Sequence, residues 1–336
     1  MLLTIALFLL CAGAIYVSCE YFVNGVEWVG HRFNLGATTT GTVLAAFGTA
    51  LPESAVTFVA VTFGRDAAQK DIGVGAAVGG PLVLSTISYA VVGIALLLNR
   101  RKLHRRTAIL LVDHRRLSRD QAWFLIIFIC TIALGLIAFA PKTWVGIVLL
   151  AVYGLYVWRE IGSSGDADDD PEMLQPLKIR PRDESPGLGW AALQSGLALI
   201  VIAIASRVFV SQLETMGNTL GLSPHLVALL LSPVATELPE TLNALIWVRQ
   251  GRERLALANI SGAMMIQATV PAGFGLLFTP WRFDRPLLTA SLCTCISVIV
   301  LWTIFRRGRV NGWSLIPVSV LYGVFAGIVL ILLHTG

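Results

Sequence analysis

Charged residues are scarce in this sequence. Asp, Glu, Lys and Arg make up only 13% of its 336 residues, whereas 56% are hydrophobic and the mean hydropathy is +0.76. A soluble domain of this size would need a more polar surface, so the composition predicts a polytopic membrane protein that contacts the lipid bilayer.

Other features are missing, and each absence argues against a class of protein. The five cysteines lie in apolar segments without a Cys-x-x-Cys motif, so we expect no disulfide framework. The chain has no His-Glu-x-x-His or Gly-x-Ser-x-Gly motif and its five histidines are scattered, so we expect neither an enzyme nor a resident cofactor. The first 31 residues contain no Lys or Arg, so residues 2–23 are predicted to be a retained span and not a signal peptide.

Apolar stretches of spanning length predict an all-α membrane protein with ten transmembrane helices. They lie at 2–23, 38–62, 72–98, 122–140, 143–158, 188–210, 223–247, 255–279, 286–304 and 313–333. Lys and Arg are distributed unequally, with 19 on one side of this arrangement and 6 on the other. The positive-inside rule then places the basic loops in the cytoplasm and both termini outside. We attribute the basic stretch Arg100–Arg119 to this topology and expect no nucleic-acid partner.

One polar segment divides the chain into two parts. Residues 159–187 carry eight acidic side chains and separate a first five-helix unit, residues 1–158, from a second, residues 188–336. Charge runs of this kind are usually solvated, so we expect a disordered cytoplasmic linker.

The two halves repeat each other. The segment Gly48-Thr-Ala-Leu-Pro-Glu53 returns 187 residues later as Ala235-Thr-Glu-Leu-Pro-Glu240, and the same offset aligns the flanking residues without a gap. Five helices is an odd number, so the second unit would enter the membrane from the opposite side. The sequence therefore predicts two inverted five-helix repeats, an architecture typical of secondary transporters.

The two Pro-Glu pairs predict a cation site near the bilayer midplane. A carboxylate is costly in hydrocarbon, and each proline frees the carbonyl four residues before it, that of Gly48 or Ala235. Glu53 and Glu240, on two matched broken helices, would face each other around a cation. Glu237 would add a third carboxylate, and three close carboxylates cannot all stay ionised in an empty site, which favours exchange against protons.

The repeated motif resembles the alpha-repeats of the calcium/cation antiporter superfamily, whose best-known members are sodium/calcium exchangers. The resemblance covers essentially the whole chain. It implies exchange of Ca²⁺ for Na⁺ or H⁺ by alternating access, with Glu53 and Glu240 as central ligands and Thr49 and Thr236 completing the shell. The sequence leaves the oligomeric state open.

The family's second motif is altered in both halves. Pro81 and Met264 stand where the family has an amide or carboxylate ligand, and we expect Met264 to be a packing residue. The glycines at 73, 75, 79 and 80 are expected to let the third helix pack closely against the second.

Other intramembrane polar groups are expected either to support the site from behind the direct ligands or to bond neighbouring helices. They are Ser232, Asn243, Asn259, Ser261, Gln267, Ser85, Thr86 and Ser88. Glu27 and Glu214 are expected at helix ends near the membrane edges. A channel, a cation/proton exchanger that does not carry calcium and a non-transporting relative remain alternatives to the calcium antiporter.

Overall fold

The computed structural model describes residues 1–32, 37–102, 107, 109–110, 112–137, 142–163, 175–183 and 185–335. In chain order the helices are α1 (Leu2–Arg32), α2 (Ala37–Phe63), α3 (Ala67–Val83), α4 (Tyr89–Asn99), α5 (His114–Leu136), α6 (Lys142–Ser163), α7 (Leu188–Leu220), α8 (Pro224–Thr236), α9 (Leu238–Arg249), α10 (Glu253–Phe278), α11 (Arg285–Arg306), α12 (Gly312–Leu315) and α13 (Ser319–Thr335). A π-helical turn, Leu84–Ser88, joins α3 to α4, and a 3₁₀ turn, Ile316–Val318, joins α12 to α13.

The all-helical fold class is confirmed within the described residues. Seven segments are long and apolar enough to cross a membrane: Leu2–Val29, Ala67–Asn99, His114–Leu136, Leu188–Leu220, Glu253–Phe278, Arg285–Arg306 and Gly312–Leu333. Each coincides with a predicted stretch. Two further predicted stretches, 38–62 and 143–158, coincide with α2 and α6, and the stretch 223–247 forms α8 and α9. The number of spans, ten, stays a prediction.

Helices α1 and α7 are the longest, and they pack side by side in opposite directions. The Phe8 ring stacks on Phe209 with centroids 4.7 Å apart, while near the other end a Cβ on Gly25 would lie 2.4 Å from Ser195 Oγ. Both helices run about ten residues beyond their predicted C-terminal ends, where polar side chains bond to protein groups: Asn24 to the strap, and Glu214 to Gln69 Nε2 at 2.8 Å. Glu27 and Glu214 therefore lie inside α1 and α7, and the prediction that they end these helices is wrong.

The last part of the predicted linker is folded. We call residues 175–183 the strap, because they lie across α1 and α7. Leu177 is completely buried beside Trp28 and Ala191. Asn24 Oδ1 accepts the backbone N–H of Lys178 at 3.0 Å, and Gln194 Oε1 accepts that of Ile179 at 3.0 Å.

The prediction of a disordered linker is thus wrong for the strap, since paired backbone groups and one buried leucine fix it. Residues 159–163 belong to α6. Residues 164–174 and 184, which carry most of the acidic run, lie outside the described residues.

The glycines of α3 do not all face α2. A Cβ on Gly73 would lie 2.5 Å from Val61 on α2, as predicted. At Gly75 and Gly79, however, it would meet α8, 2.4 Å from the His225 carbonyl oxygen and 2.7 Å from Pro233 Cγ. The expectation that all of these glycines serve packing against α2 is wrong, because α3 is held tightly between α2 and α8. This contact positions α8 for the site described next.

Candidate cation-binding site

The second Leu-Pro-Glu copy interrupts a helix. Helix α8 ends at Thr236 and α9 begins at Leu238, with Glu237 between them. Pro239 has no N–H to bond the carbonyl four residues back, so the ladder is broken at this point. Glu240 lies in the first turn of α9, where the helix dipole favours a carboxylate.

The first copy does not interrupt its helix. Helix α2 runs from Ala37 to Phe63 with Pro52 inside it. The prediction of two matched broken helices is therefore wrong for the first half. The second copy has another proline, Pro233, within α8, and the two prolines together deprive that segment of two backbone donors. Helix α2 has only Pro52, and its ladder continues on both sides. The side chain of Thr49 and the predicted role of Gly48 lie outside what the structure describes.

The structure places Glu53, Glu237 and Glu240 in the protein interior. Their exposed fractions are 1%, 0% and 1%. The hydroxyl of Thr236 donates a short hydrogen bond to Glu53 Oε2 and lies 3.4 Å from Glu237 Oε1. Thr236 thus connects α8 to α2, and it brings carboxylates from the two halves of the sequence into one cluster.

A fourth helix contributes to this cluster. Gln267 on α10 is 1% exposed, and its Nε2 donates to Glu237 Oε1 at 2.8 Å. Gly80 on α3 lies against the same two side chains: a Cβ there would be 2.9 Å from Gln267 Oε1 and 3.1 Å from Glu237 Oε1. Helices α2, α3, α8 and α10 therefore surround the carboxylates.

Several oxygens of these side chains and of nearby residues on α8, α9 and α10 are buried without a hydrogen-bond partner among the described residues. They are Glu53 Oε1, Glu237 Oε2, both carboxylate oxygens of Glu240, Ser232 Oγ and Gln267 Oε1. Burying an unpaired carboxylate costs several kcal/mol, roughly, unless a positive charge or a proton compensates it. In the described part of the chain, no three His, Cys, Asp or Glu side chains form a ready-made metal cluster. A cation bound here would thus also take hydroxyl, amide or backbone oxygens.

The other predicted residues lie at different distances from the cluster. Ser232 is completely buried one turn before Thr236, and its carbonyl accepts the Thr236 hydroxyl at 3.1 Å. Asn243 is half-buried on α9. Asn259 lies eight residues before Gln267 on α10, which is about 12 Å along a helix axis. Ala235 is half-buried and packs on the apolar cluster between α1 and α7.

Two groups of predicted polar residues bond neighbouring helices instead. Ser88 and Thr241 hydroxyls lie 2.7 Å apart between the π turn and α9, and Ser297 on α11 donates to the Ser85 carbonyl at 2.7 Å. Ser261 donates to Asp120 on α5 at 3.4 Å. Met264 is completely buried in the main apolar core, in agreement with its predicted packing role.

Sequence reasoning undervalued Gln267 and Gly80. Gln267 was one of several polar residues on its helix, and nothing in the local sequence distinguishes it from Asn259 or Ser261. Gly80 was expected to serve helix packing alone. The available signal was the altered family motif, since Met264 lies one turn before Gln267 on α10.

Comparisons with known proteins agree with this fold. The family model described as sodium/calcium exchanger protein matches residues 3–162 and 190–332. The inner membrane protein YrbG of Escherichia coli is 24% identical over 320 residues, which is 93% of this chain and 92% of that protein.

Two kinds of solved structure share the fold. The sodium-calcium exchanger NCX_Mj has a TM-score of 0.60 at 20% identity, covering 97% of this chain and 98% of that one. The H⁺/Ca²⁺ exchanger CAX has a TM-score of 0.72 at 17% identity, covering 97% of this chain and 82% of that one. The chain is thus an integral multi-pass membrane protein that belongs to the sodium/calcium exchanger protein family, within the calcium/cation antiporters.

Proposed function

We propose that the protein is a secondary active antiporter that exchanges Ca²⁺, or a related divalent cation, for Na⁺ or H⁺ by alternating access. The observation that carries the proposal is the cluster of buried carboxylate oxygens without hydrogen-bond partners between α2 and the α8–α9 interruption. A divalent cation between Glu53 and Glu240 would compensate these charges. Glu237, Thr236 and, from the sequence, Thr49 and the carbonyls of Gly48 and Ala235 would add oxygens toward the roughly six to eight that Ca²⁺ takes.

The interrupted helix supports transport through this site. The C-terminal end of α8 directs its negative dipole end toward the cluster, as half-helices do at cation sites in transporters. Membership of the exchanger family supports antiport over a pore. The choice between Na⁺ and H⁺ turns on Glu237: a third carboxylate must be neutralised when the cation leaves, and a proton does this directly.

The proposed architecture is ten spans in two inverted repeats, residues 1–158 and 188–336, with both termini outside. The C-terminal end of α1 meets the strap, and both carry basic residues, Arg32 with Lys178, Arg180 and Arg182. The positive-inside rule puts this face in the cytoplasm. In a cysteine-free background, Arg182→Cys should react with a membrane-impermeant maleimide only from the cytoplasm, and Arg65→Cys only from outside. The reverse pattern would contradict the orientation.

Counterflow tests the transport mode. Membrane vesicles containing the protein are loaded with unlabelled Ca²⁺, and entry of ⁴⁵Ca²⁺ is measured as its outside concentration rises. An antiporter gives entry that saturates and that internal Ca²⁺ accelerates, and Glu53→Gln abolishes it. Entry that rises without saturation and ignores internal Ca²⁺ would indicate a channel. If vesicles containing the protein take up no divalent cation faster than empty vesicles do, the proposal is refuted.

A further inference from the structure

His225 lies between two carboxylates that belong to two other helices. It is the second residue of α8, and its side chain is 16% exposed. Its Nε2 lies 3.3 Å from Asp71 Oδ1 on α3, and its Nδ1 lies 3.7 Å from Asp284 Oδ2, at the N-cap of α11. One imidazole ring thus joins the ends of three helices, roughly 16 Å along the axis of α8 from Thr236 in the candidate site.

The number of protons on the ring decides whether both contacts are favourable. A charged imidazole donates from both nitrogens, so it can pair with both carboxylates at once. A neutral imidazole has one N–H and one lone pair, and whichever nitrogen keeps its proton, the other turns a lone pair toward a carboxylate. Imidazole is the side chain that gains or loses this proton between about pH 5 and 8, so the contact between the three helices changes with pH in this range.

In the described part of the chain, no other cation takes over this role. Asp71 and Asp284 form ion pairs there only with His225, and Asp284 Oδ1 also accepts the backbone N–H of Leu287 at 3.0 Å. The other charged side chains at or beside these helix ends, including those of α2 and α7, pair neither with His225 nor with the two carboxylates. They are Arg65, Asp66, Lys70, Glu214, Arg282 and Arg285.

We propose that His225 is a pH-sensitive latch: its charged ring ties α8 to α3 and α11, and deprotonation releases this end of α8. On the proposed topology these helix ends face outside, so the latch responds to the outside pH. Helix α8 carries Thr236, so a closed latch restrains the movement that would open the site to the outside, and outside acid slows exchange. The latch itself does not depend on the proposed antiport, whereas its effect on exchange rests on it.

A double-mutant cycle on the purified protein in detergent tests the latch without transport. His225→Gln and Asp71→Asn each remove one charge and keep a polar side chain. Thermal unfolding is measured for wild type, both single variants and the double variant at about pH 6 and about pH 8. At the lower pH the double variant should unfold about 2 °C or more above the temperature that adding the single losses gives, because the pair is lost only once.

At the higher pH the single losses should add, because the charged pair has already gone. Additive losses at both pH values, or the same coupling at both, would refute the latch. His225→Lys keeps a positive charge throughout and serves if His225→Gln does not fold. In that background Asp71→Asn should cost the same at both pH values, and a cost that still varied with pH would assign the effect to another group and refute the latch.

His114 provides a matched control. It is also partly buried, it lies at the start of α5, and it forms no ion pair in the described part of the chain. His114→Gln should leave the pH dependence of both stability and exchange as in wild type. A change equal to that in His225→Gln would refute the latch.

Counterflow at two outside pH values, with the inside pH fixed, tests the effect on exchange. At the lower outside pH, ⁴⁵Ca²⁺ entry through His225→Gln should be at least about twofold faster than through wild type, and at the higher pH the two should be equal. Equal rates at both pH values would refute the regulatory role, even where the cycle shows coupling. If wild type exchanges no cation, the antiport proposal falls, and the double-mutant cycle still decides whether the latch exists.

Discussion

The Thr236 hydroxyl on α8 donates a hydrogen bond to Glu53 on α2, so removing it perturbs the centre of the site. Thr236→Val keeps the β-branched shape and nearly the volume. It takes away the donor to Glu53 Oε2 and the hydroxyl oxygen that lies 3.4 Å from Glu237 Oε1. Glu53 Oε1 already lacks a partner among the described residues, so the variant would leave the whole carboxylate without one.

The size of the effect follows from the charge on the acceptor. A hydrogen bond to a charged group contributes about 1.5–3 kcal/mol. If that bond holds Glu53 in its binding position, its loss weakens cation binding by about 10- to 150-fold. The variant also loses one candidate oxygen ligand, which acts in the same direction.

Calorimetric titration with Ca²⁺ measures the affinity, and thermal unfolding followed by circular dichroism measures stability. Thr294→Val is a matched control, because Thr294 is completely buried on α11 and, among the described residues, its hydroxyl bonds within its own helix, to the Ala290 carbonyl at 2.8 Å. The control should bind Ca²⁺ as wild type does. Equal affinities for wild type and Thr236→Val would refute the reasoning, as would an equal loss in the control.

Two further substitutions test how the site is held. Gln194→Leu removes three hydrogen bonds that join α1, α7 and the strap, to the Tyr21 carbonyl at 2.7 Å, Asn24 Oδ1 at 3.0 Å and the Ile179 N–H at 3.0 Å. It should lower the free energy of unfolding by about 1–3 kcal/mol without changing Ca²⁺ affinity, and unchanged stability would contradict the strap contacts. Gly79→Ala would put a Cβ 2.9 Å from the Leu229 carbonyl oxygen, and by forcing α3 away from α8 it should lower the free energy of unfolding by about 1–3 kcal/mol. Gly196→Ala is the control, because a Cβ there meets nothing within 4 Å, and it should not destabilise the protein. Equal unfolding midpoints for the two variants would contradict the packing of α3 on α8.

Much of the fold could be predicted because a membrane imposes long apolar runs on its helices. The positions of α10 and α11 follow from such runs within a few residues, whereas α5 begins eight residues before its predicted start at 122. The ends of α1 and α7 could not be found this way. Their last turns are polar. The end of α1 bonds to α7 and to the strap, and near the end of α7 Glu214 Oε2 accepts a hydrogen bond from Gln69 Nε2.

The strap also could not be predicted from local sequence, although here the error was to expect disorder in a folded segment. Its composition indicates a solvated segment, yet a single leucine and a few backbone groups fix it, because Asn24, Trp28 and Gln194 on two distant helices supply the matching partners. The bonds to Asn24 and Trp28 join residues 154 and 147 apart in sequence, so no local pattern predicts them.

Some residues of the candidate site could be predicted from the sequence, but the contacts between them could not. Glu53, Glu237 and Glu240 could be chosen from the sequence, because a carboxylate in an apolar segment is rare and the motif occurs twice. That Thr236 reaches across to Glu53, and that Gln267 rather than Asn259 meets Glu237, depends on helix rotation and packing. The two copies of the motif also differ in their backbone: the helix is interrupted at Glu237, where Pro233 and Pro239 both lie nearby, but not at Pro52, the single proline of α2.

The central claim is that buried carboxylates from both halves bind a cation that is exchanged across the membrane. Ca²⁺ uptake into proteoliposomes containing the purified protein tests it most directly, with outward Na⁺ and outward H⁺ gradients applied separately and with Glu53→Gln and Glu240→Gln beside wild type. The account predicts that one of the gradients drives uptake by wild type and that neither variant takes up Ca²⁺ above empty liposomes. Uptake that persists in both variants, or wild-type protein that neither gradient drives, would contradict it.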